Sequence, residues 1–288
     1  MDSLLFLCAR RIVAHHPLPI LPALPAHLYP ILFQAAFLDG RPLVLRDLVA
    51  AWPFPVLNFQ RLVGRRELLR DHPCKLCVQA VILAVVAQLR RQLEEPGHDA
   101  SDLQAPLESL ELAFCSLVPA DLAFLSQSFH APALKRLDLS GHDFSQGLLE
   151  PLRLLLEETS ASLLHLDLME CRMADSHLDA LLPTLRRCSR LRFLGLYGNS
   201  LSTAALKDLL QKTLELPDLH LVVYPFPVDC YKPEPPSESG WNFEEPVDEE
   251  LLAAVNAEFS QMLVNSGRTD LVWTYNPYGH GTLDYFSL

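Results

Sequence analysis

The stretch Leu163-Leu164-His165-Leu166-Asp167-Leu168-Met169-Glu170-Cys171-Arg172-Met173 sets Leu at its first, fourth and sixth positions and Cys at its ninth. Leu166 and Leu168 are two residues apart, so both fall on one face of an extended strand. Cys171 then stands where the chain must turn, and a small or amide side chain there can bond free backbone groups. The same frame appears twice upstream, as Leu107, Leu110, Leu112, Cys115, Leu117 and as Leu134, Leu137, Leu139, His142, Phe144. It appears downstream as Leu191, Leu194, Leu196, Asn199, Leu201. A weaker fifth copy reads Leu216, Leu219, Leu221, Tyr224, Phe226. The successive offsets are 27, 29, 28 and 25 residues.

A frame of this form at this period is a leucine-rich repeat. Amphipathic helical spacing follows each of the first four strands, over Leu122–Phe129, Leu148–Glu157, Leu178–Arg187 and Ala204–Thr213, with Ser145, Asp175 and Ser202 as the clearest capping residues. One strand and one helix cannot bury both of their apolar faces. Stacked copies can, which predicts an α/β leucine-rich repeat solenoid with parallel strands on the concave face and helices outside.

Residues 1–93 lie outside that register. Pro17, Pro19, Pro22, Pro25 and Pro30 interrupt the start, and helical spacing then runs through Tyr29–Phe37, Leu43–Ala51, Phe59–Leu69 and Val78–Leu93. This predicts an α-helical N-terminal cap. Residues 94–106 form a polar seam, and 107–226 hold five repeats. Residues 227–288 form an acidic segment, with a Pro- and Glu-rich loop at Lys232–Glu250 and a short helix at Glu249–Val264. Its aromatic end, with Trp273, Tyr275, Tyr278, Tyr285 and Phe286, is expected to fold back on the last repeat.

Composition narrows the function. The 288 residues are 50% apolar and 20% charged, which argues against disorder. The formal net charge of −12 argues against nucleic acid as a partner, because phosphates demand a basic face. Residues 225–288 carry 2 basic and 11 acidic side chains, so the acidity gathers in the last quarter. The longest apolar run, Cys77–Leu89, is broken by Gln79 and Gln88 and is too short to span a bilayer. Seven Cys are too few for a disulfide scaffold. A cytoplasmic protein with no membrane partner is the expectation. No nucleophile motif, phosphate loop or zinc-protease motif occurs, so the chain reads as no enzyme and needs no cofactor.

Three groups of residues are candidates for binding. On the strands, the positions facing away from the Leu stripe are Ser109, Glu111, Ala113, then Arg136, Asp138, Ser140, then His165, Asp167, Met169, then Phe193, Gly195, Tyr197. Stacking at about 4.8 Å puts Glu111, Asp138 and Asp167 in one column beside Arg136 and His165. Diagonal pairing with Arg136 and pH-sensitive pairing with His165 are expected. The stripe, edged by Phe193 and Tyr197, suits a basic or amphipathic helix; the alternative is a merely solvated sheet face. At the N-terminus, Leu4, Cys8 and Ile12 share one helix face and fit an elongin-binding box, or else pack on the cap. Leu24-Pro25-x-x-Leu28 has the form of a cullin-box element. Cys74-x-x-Cys77 near His72 lacks the second pair that a structural zinc needs, so no metal is expected there. Cys115 and Cys171 occupy turn positions and read as structural.

Trp52-Pro53-Phe54-Pro55, following Leu45-Arg46-Asp47-Leu48-Val49, resembles the N-terminal signature of the PRAME-type leucine-rich repeat family. Leu107–Cys115, Leu194–Asn199, Pro225–Tyr231 and Asp284–Leu288 extend the likeness to one branch of that family. It covers nearly all of the chain in two blocks, about 1–90 and about 105–288. Members have a long middle section with further repeats, whereas here Gln88–Gln104 leads almost directly into the late repeats, as in an internally shortened form. The resemblance implies a non-catalytic protein-binding role: negative regulation of Toll-like receptor and NF-κB signalling through the IκB kinase beta subunit, whose core complex is disturbed. The alternative it implies is a substrate receptor of a cullin-2/elongin B/C ubiquitin ligase.

Overall fold

The computed structural model describes residues 4–15, 21–63, 75–94, 106–114, 117–232 and 247–276. Among the described residues, seven short strands pair in parallel and in chain order: β1 Val56–Asn58, β2 Ser109–Glu111, β3 Arg136–Asp138, β4 His165–Asp167, β5 Phe193–Gly195, β6 Leu221–Val223 and β7 Val272–Thr274. The Leu frame explains their position. The central residues Leu57, Leu110, Leu137, Leu166, Leu194 and Val222 stack in register and are buried. Burying each such side chain contributes roughly 1.5–3 kcal/mol.

Helices cover the outer side. α1 is Leu4–Val13, α2 Tyr29–Leu38, α3 Pro42–Ala50, α4 Phe59–Val63, α5 Lys75–Glu94, α6 Pro119–Ser126, α7 Leu149–Thr159, α8 Asp175–Leu185, α9 Thr203–Thr213 and α10 Glu249–Ser266. From α5 to α10 each packs on the next. Their buried Leu residues, such as Leu152, Leu155 and Leu156 of α7, meet the strand leucines in one core. No described helix is long and apolar enough to cross a membrane.

The turns after β4 and β5 are held by the residues the frame places there, Cys171 and Asn199. Asn199 donates from Nδ2 to the carbonyls of Leu168 (2.8 Å) and Leu196 (2.7 Å), and its Oδ1 accepts from the Cys171 and Met173 amides. Cys171 donates from Sγ to the Leu139 carbonyl at 3.2 Å, and burial pushes its thiol up to about 12. It is a structural thiol. Cys115 lies outside the described residues.

Ser202 caps α9, accepting from the Ala205 amide at 3.2 Å. Asp175 and Ser145 do not cap their helices. The Asp175 carboxylate reaches the next coil and accepts from the Ser202 amide and hydroxyl, tying two turns together. Ser145 donates to Asp143 in a short turn ahead of α7, which starts from Leu148.

The fifth copy sits three residues later than the sequence frame put it. Leu194 pairs with Val222, an offset of 28 residues. Leu219, Val222 and Tyr224 therefore take the core positions, and Leu221 turns to the concave face, where it meets Phe193 and Val223. A Leu at every third or second position let two frames fit, and the β-branched Val222 disguised the correct one.

The sheet also runs past both ends of the five-copy frame. β1 lies within the stretch expected to be a helical cap, and α5 packs beside α6 as the outer helix of β1's coil. The signal was present, since Phe54-x-x-Leu57-x-Phe59 keeps the spacing with Phe in place of Leu. At the other end α10 packs on α9, and β7 pairs with β6. Tyr224 gathers Phe259 (ring centroids 5.5 Å) and Trp273 (5.4 Å), and its hydroxyl donates to Asn256 at 2.6 Å. Arg268, just past the left-handed Gly267 that ends α10, donates to the carbonyls of Leu214, Leu216 and Leu219 at 2.7–2.9 Å. Those aromatics and that guanidinium seat residues 247–276 on the last coil. Tyr278, Tyr285 and Phe286, and most of the Lys232–Glu250 loop, lie outside the described residues.

Candidate partner-binding face

Strand register creates two concave columns. One runs Val56, Ser109, Arg136, His165, Phe193, Leu221, Val272; the other runs Asn58, Glu111, Asp138, Asp167, Gly195, Val223, Thr274. Glu111, Asp138 and Asp167 are thus neighbours on successive strands, with Arg136 and His165 alongside.

Each carboxylate is held differently. Glu111 accepts from the Asn58 amide and from the Ser109 hydroxyl at 3.0 Å. Asp138 accepts from the Ser140 amide (2.9 Å) and hydroxyl (2.6 Å). Asp167 accepts from the Met169 amide at 3.0 Å and is buried. Burial, and then the neighbouring charge of Asp167, push Asp138 up to about 7; the Ser140 hydrogen bonds pull the other way. Gly195 makes room for this arrangement. A Cβ there would lie 2.6 Å from Asp167 Oδ1 and 2.9 Å from Met169 Cε.

His165 does not supply the pH-sensitive partner expected of it. Burial, and then the Arg136 cation, push it down to about 3, so it stays neutral through the physiological range. Its ring stacks on Phe193 at 4.2 Å. Asp138, on the strand before it, is the carboxyl of this column that burial pushes up toward neutrality. Phe193 is no accessible edge either. It is fully buried in an apolar cluster with Leu221 and Val223, against Met169, Tyr197 and Val272. Tyr197 is half-buried. The buried stretch of the concave face is therefore its middle; in the first half Val56 is 45% exposed and Asn58, Glu111, Arg136 and Asp138 are partly exposed, and Val272 and Thr274 are partly exposed at the far end.

The N-terminal candidates divide. Leu4 is 79% exposed and Cys8 is exposed, but Ile12 packs on the core. Leu24 and Leu28 also pack inward, with Pro25 exposed between them. Cys77 is buried in α5, while Cys74 and His72 lie outside the described residues. Among the described residues no group of three or more His, Cys, Asp or Glu could hold a metal ion.

Sequence reasoning missed an apolar groove of about 710 Å³ beside β1, with Ile31, Trp52, Phe54, Val56 and Leu62 among its lining residues. The Trp-Pro-Phe-Pro run that carried the family likeness also builds this wall.

A continuous parallel sheet with leucines inward, helices outward and a polar, partly exposed stretch on the concave side defines a leucine-rich repeat solenoid. Within that class, residues 3–92 match the family model described as PRAME N-terminal domain, and residues 76–278 match that of the PRAME C-terminal domain. The chain belongs to the PRAME family. It is similar to leucine-rich repeat-containing protein 14 of Xenopus laevis, 54% identical over 187 residues, which is 65% of this chain and 37% of the relative. The same protein of Homo sapiens is 53% identical over 190 residues, 65% of this chain and 38% of the relative. PRAME family member 12 of Homo sapiens is 44% identical over 129 residues, 45% of this chain and 27% of the relative. The match thus spans well under half the length of these relatives.

Proposed function

We propose that the chain is a non-catalytic adaptor that holds a polypeptide of another protein against the accessible first half of its concave face. The observation that carries this is the column Asn58, Glu111, Asp138, which leaves partly exposed carboxylates on a rigid sheet. In the finer reading, which follows from the family likeness, the partner is the IκB kinase beta subunit. The chain then acts in the cytoplasm as a negative regulator of Toll-like receptor and NF-κB signalling, by occupying a surface that the kinase core complex needs. Such competition requires no active site.

A second reading is a substrate receptor of a cullin-2/elongin B/C ligase. Exposed Leu4 and Cys8 on α1 favour it, because an apolar residue and a thiol one turn apart can enter a partner groove. The inward packing of Ile12, Leu24 and Leu28 weighs against those three residues as contacts.

Purified IκB kinase beta and purified elongin B/C, each passed over the immobilised chain, separate the readings. The kinase is expected to bind, and Glu111→Lys with Asp138→Lys to abolish that binding while Leu4→Glu leaves it intact. Elongin binding that Leu4→Glu removes, with no kinase retained, would favour the ligase reading. Failure to retain either protein sinks both.

A further inference from the structure

The stretch Arg186-Arg187-Cys188-Ser189-Arg190-Leu191-Arg192 joins α8 to β5 and sets four guanidinium groups within three residues of one serine. The Leu191 amide donates to the Cys188 carbonyl at 3.0 Å, closing a β-turn with Ser189 and Arg190 at its two central positions. Cys188 and Leu191 are buried and anchor the turn, so Ser189 and Arg190 form its exposed tip. Arg186 donates to Glu215 at 2.8 Å, and Arg187 lies 3.3 Å from Glu157, so each reaches a neighbouring coil. Arg190 makes no ion pair among the described residues, and the Ser189 hydroxyl has no hydrogen-bond partner among them. Other serines differ. Ser160 and Ser162, in the equivalent turn one coil earlier, donate to the Glu157 and Leu134 carbonyls at 2.8 and 2.7 Å. Exposed Ser145, Ser260 and Ser266 donate to Asp143, Asn256 and Leu263. Exposed Ser176 and Ser200 have no Lys or Arg within three residues.

We propose that Ser189 is a phosphorylation site, modified by a protein kinase that selects basic residues two and three positions ahead of its acceptor. Arg187 and Arg186 hold those positions, and kinases of this kind choose a serine by such charge patterns. In the transfer, Ser189 Oγ bonds to the γ-phosphorus of ATP and the bond from that phosphorus to the β–γ bridging oxygen breaks. ADP leaves, and the hydroxyl proton passes to the base of the kinase. The product carries about −1.5 to −2 charge and three strong acceptor oxygens. It stands just past the C-terminus of α8, where the helix dipole alone would repel it. Arg190 offsets that repulsion as a cation with no competing carboxylate. Arg186 and Arg187, 48% and 59% exposed, are free to turn from Glu215 and Glu157, because Arg pairs strongly with phosphate. The result is a charge switch on the rim beside β5. Four guanidinium groups there face the carboxylates of Glu157 and Glu215, and the phosphate brings the sum close to zero.

The test is incubation of the folded full chain with magnesium ATP and the catalytic subunit of cyclic-AMP-dependent protein kinase, an enzyme of that selectivity, followed by mass-spectrometric mapping. About one phosphate per chain is expected, on Ser189, and none there in Ser189→Ala. Arg187→Gln is expected to lower kcat/KM for the chain roughly tenfold or more. In a phosphorus NMR titration of the modified chain, the second pKa of the phosphate should fall below the value of about 6 usual for phosphoserine, and Arg190→Gln should return it toward that value. Modification elsewhere with Ser189 untouched overturns the proposal. So does modification of Ser189 only after urea has unfolded the chain, because the folded turn would then be closed to the enzyme. Equal rates for Arg187→Gln and the parent would show that the arginines do not direct the kinase. A phosphate that titrates as in a free phosphoserine peptide would show that they do not receive it.

Discussion

The two halves of the concave face share one backbone and one inward Leu column, yet they are built from opposite chemistry. On β2 and β3 the outward residues are Ser109, Glu111, Arg136 and Asp138; on β5 and β6 they are Phe193, Gly195, Leu221 and Val223. The first set is polar and mostly accessible. The second is buried. The inward column fixes the fold, and the outward columns are free to vary because changing them leaves the stacking intact. One half can then lend stability while the other keeps a surface for recognition.

Column-mates give the sharpest contrast. Phe193 and Arg136 occupy the same column, two strands apart. Phe193→Ala is expected to lower the unfolding free energy by about 3–5 kcal/mol, since it empties a buried site among Leu221, Val223 and the His165 ring. Arg136→Ala, at a partly exposed position, should change it by less than about 1 kcal/mol. Denaturant titration of both variants decides. Equal losses would mean that the halves do not differ in the way described.

His165 sits at the boundary, and its effect is expected to be the next largest. Its folded pKa is depressed to about 3, so the stability linked to the neutral ring is present above the unfolded pKa near 6.5 and is lost as pH falls toward 3. Between pH 7 and pH 4 the parent should lose about 2–3 kcal/mol more than His165→Phe, which keeps the stack on Phe193 and cannot protonate. His130 behaves in the same direction. Its Nδ1 accepts from the Leu107 amide at 3.0 Å, and burial pushes it down to about 4, but that loss is common to parent and variant. Parallel acid limbs for the two proteins would refute the assignment.

Gly195 marks the change from acidic to apolar in its column. Ala there would drive a methyl group into Asp167 Oδ1 and Met169 Cε, at a cost of about 1–2 kcal/mol. Both obstacles are side-chain ends, which can shift, so the loss stays below that of Phe193→Ala. If Gly195→Ala with Asp167→Ala is no more stable than Gly195→Ala alone, the steric account is wrong.

Much of this was legible in the sequence, and the failures have physical causes. The Leu spacing placed β2 to β5 and the column Glu111, Asp138, Asp167, because period and pleat together determine which side chains face outward. β1 escaped because Phe54 and Phe59 stand where Leu was sought. The fifth coil slipped because Val222 interrupts the leucines. The groove escaped because it is made of residues from α2, the Trp52–Val56 turn and α4, which no single period connects. Burial of Phe193 was invisible because an outward position on a strand does not reveal what lies over it.

Asp138 yields an effect no larger than that of Gly195→Ala and the one most specific to the accessible half. Its folded pKa is raised to about 7 by burial and by the charges of Asp167 and Glu111, with Arg136 in the adjoining column and neutral His165 on the next strand. A raised carboxyl favours folding while it is protonated. That contribution is complete below the unfolded pKa near 3.9 and disappears as pH rises through 7. Asn in its place can still accept from Ser140 but carries no charge against Asp167. Asp138→Asn should therefore be about 1–2 kcal/mol more stable than the parent at pH 8, with the gap closing toward pH 4. A cation bound across Glu111 and Asp138 would offset the same repulsion. The parent is thus expected to be stabilised by a Lys-bearing peptide more than the Asn variant is. A variant no more stable than the parent at pH 8 would mean that the column carries no repulsion for a partner to relieve.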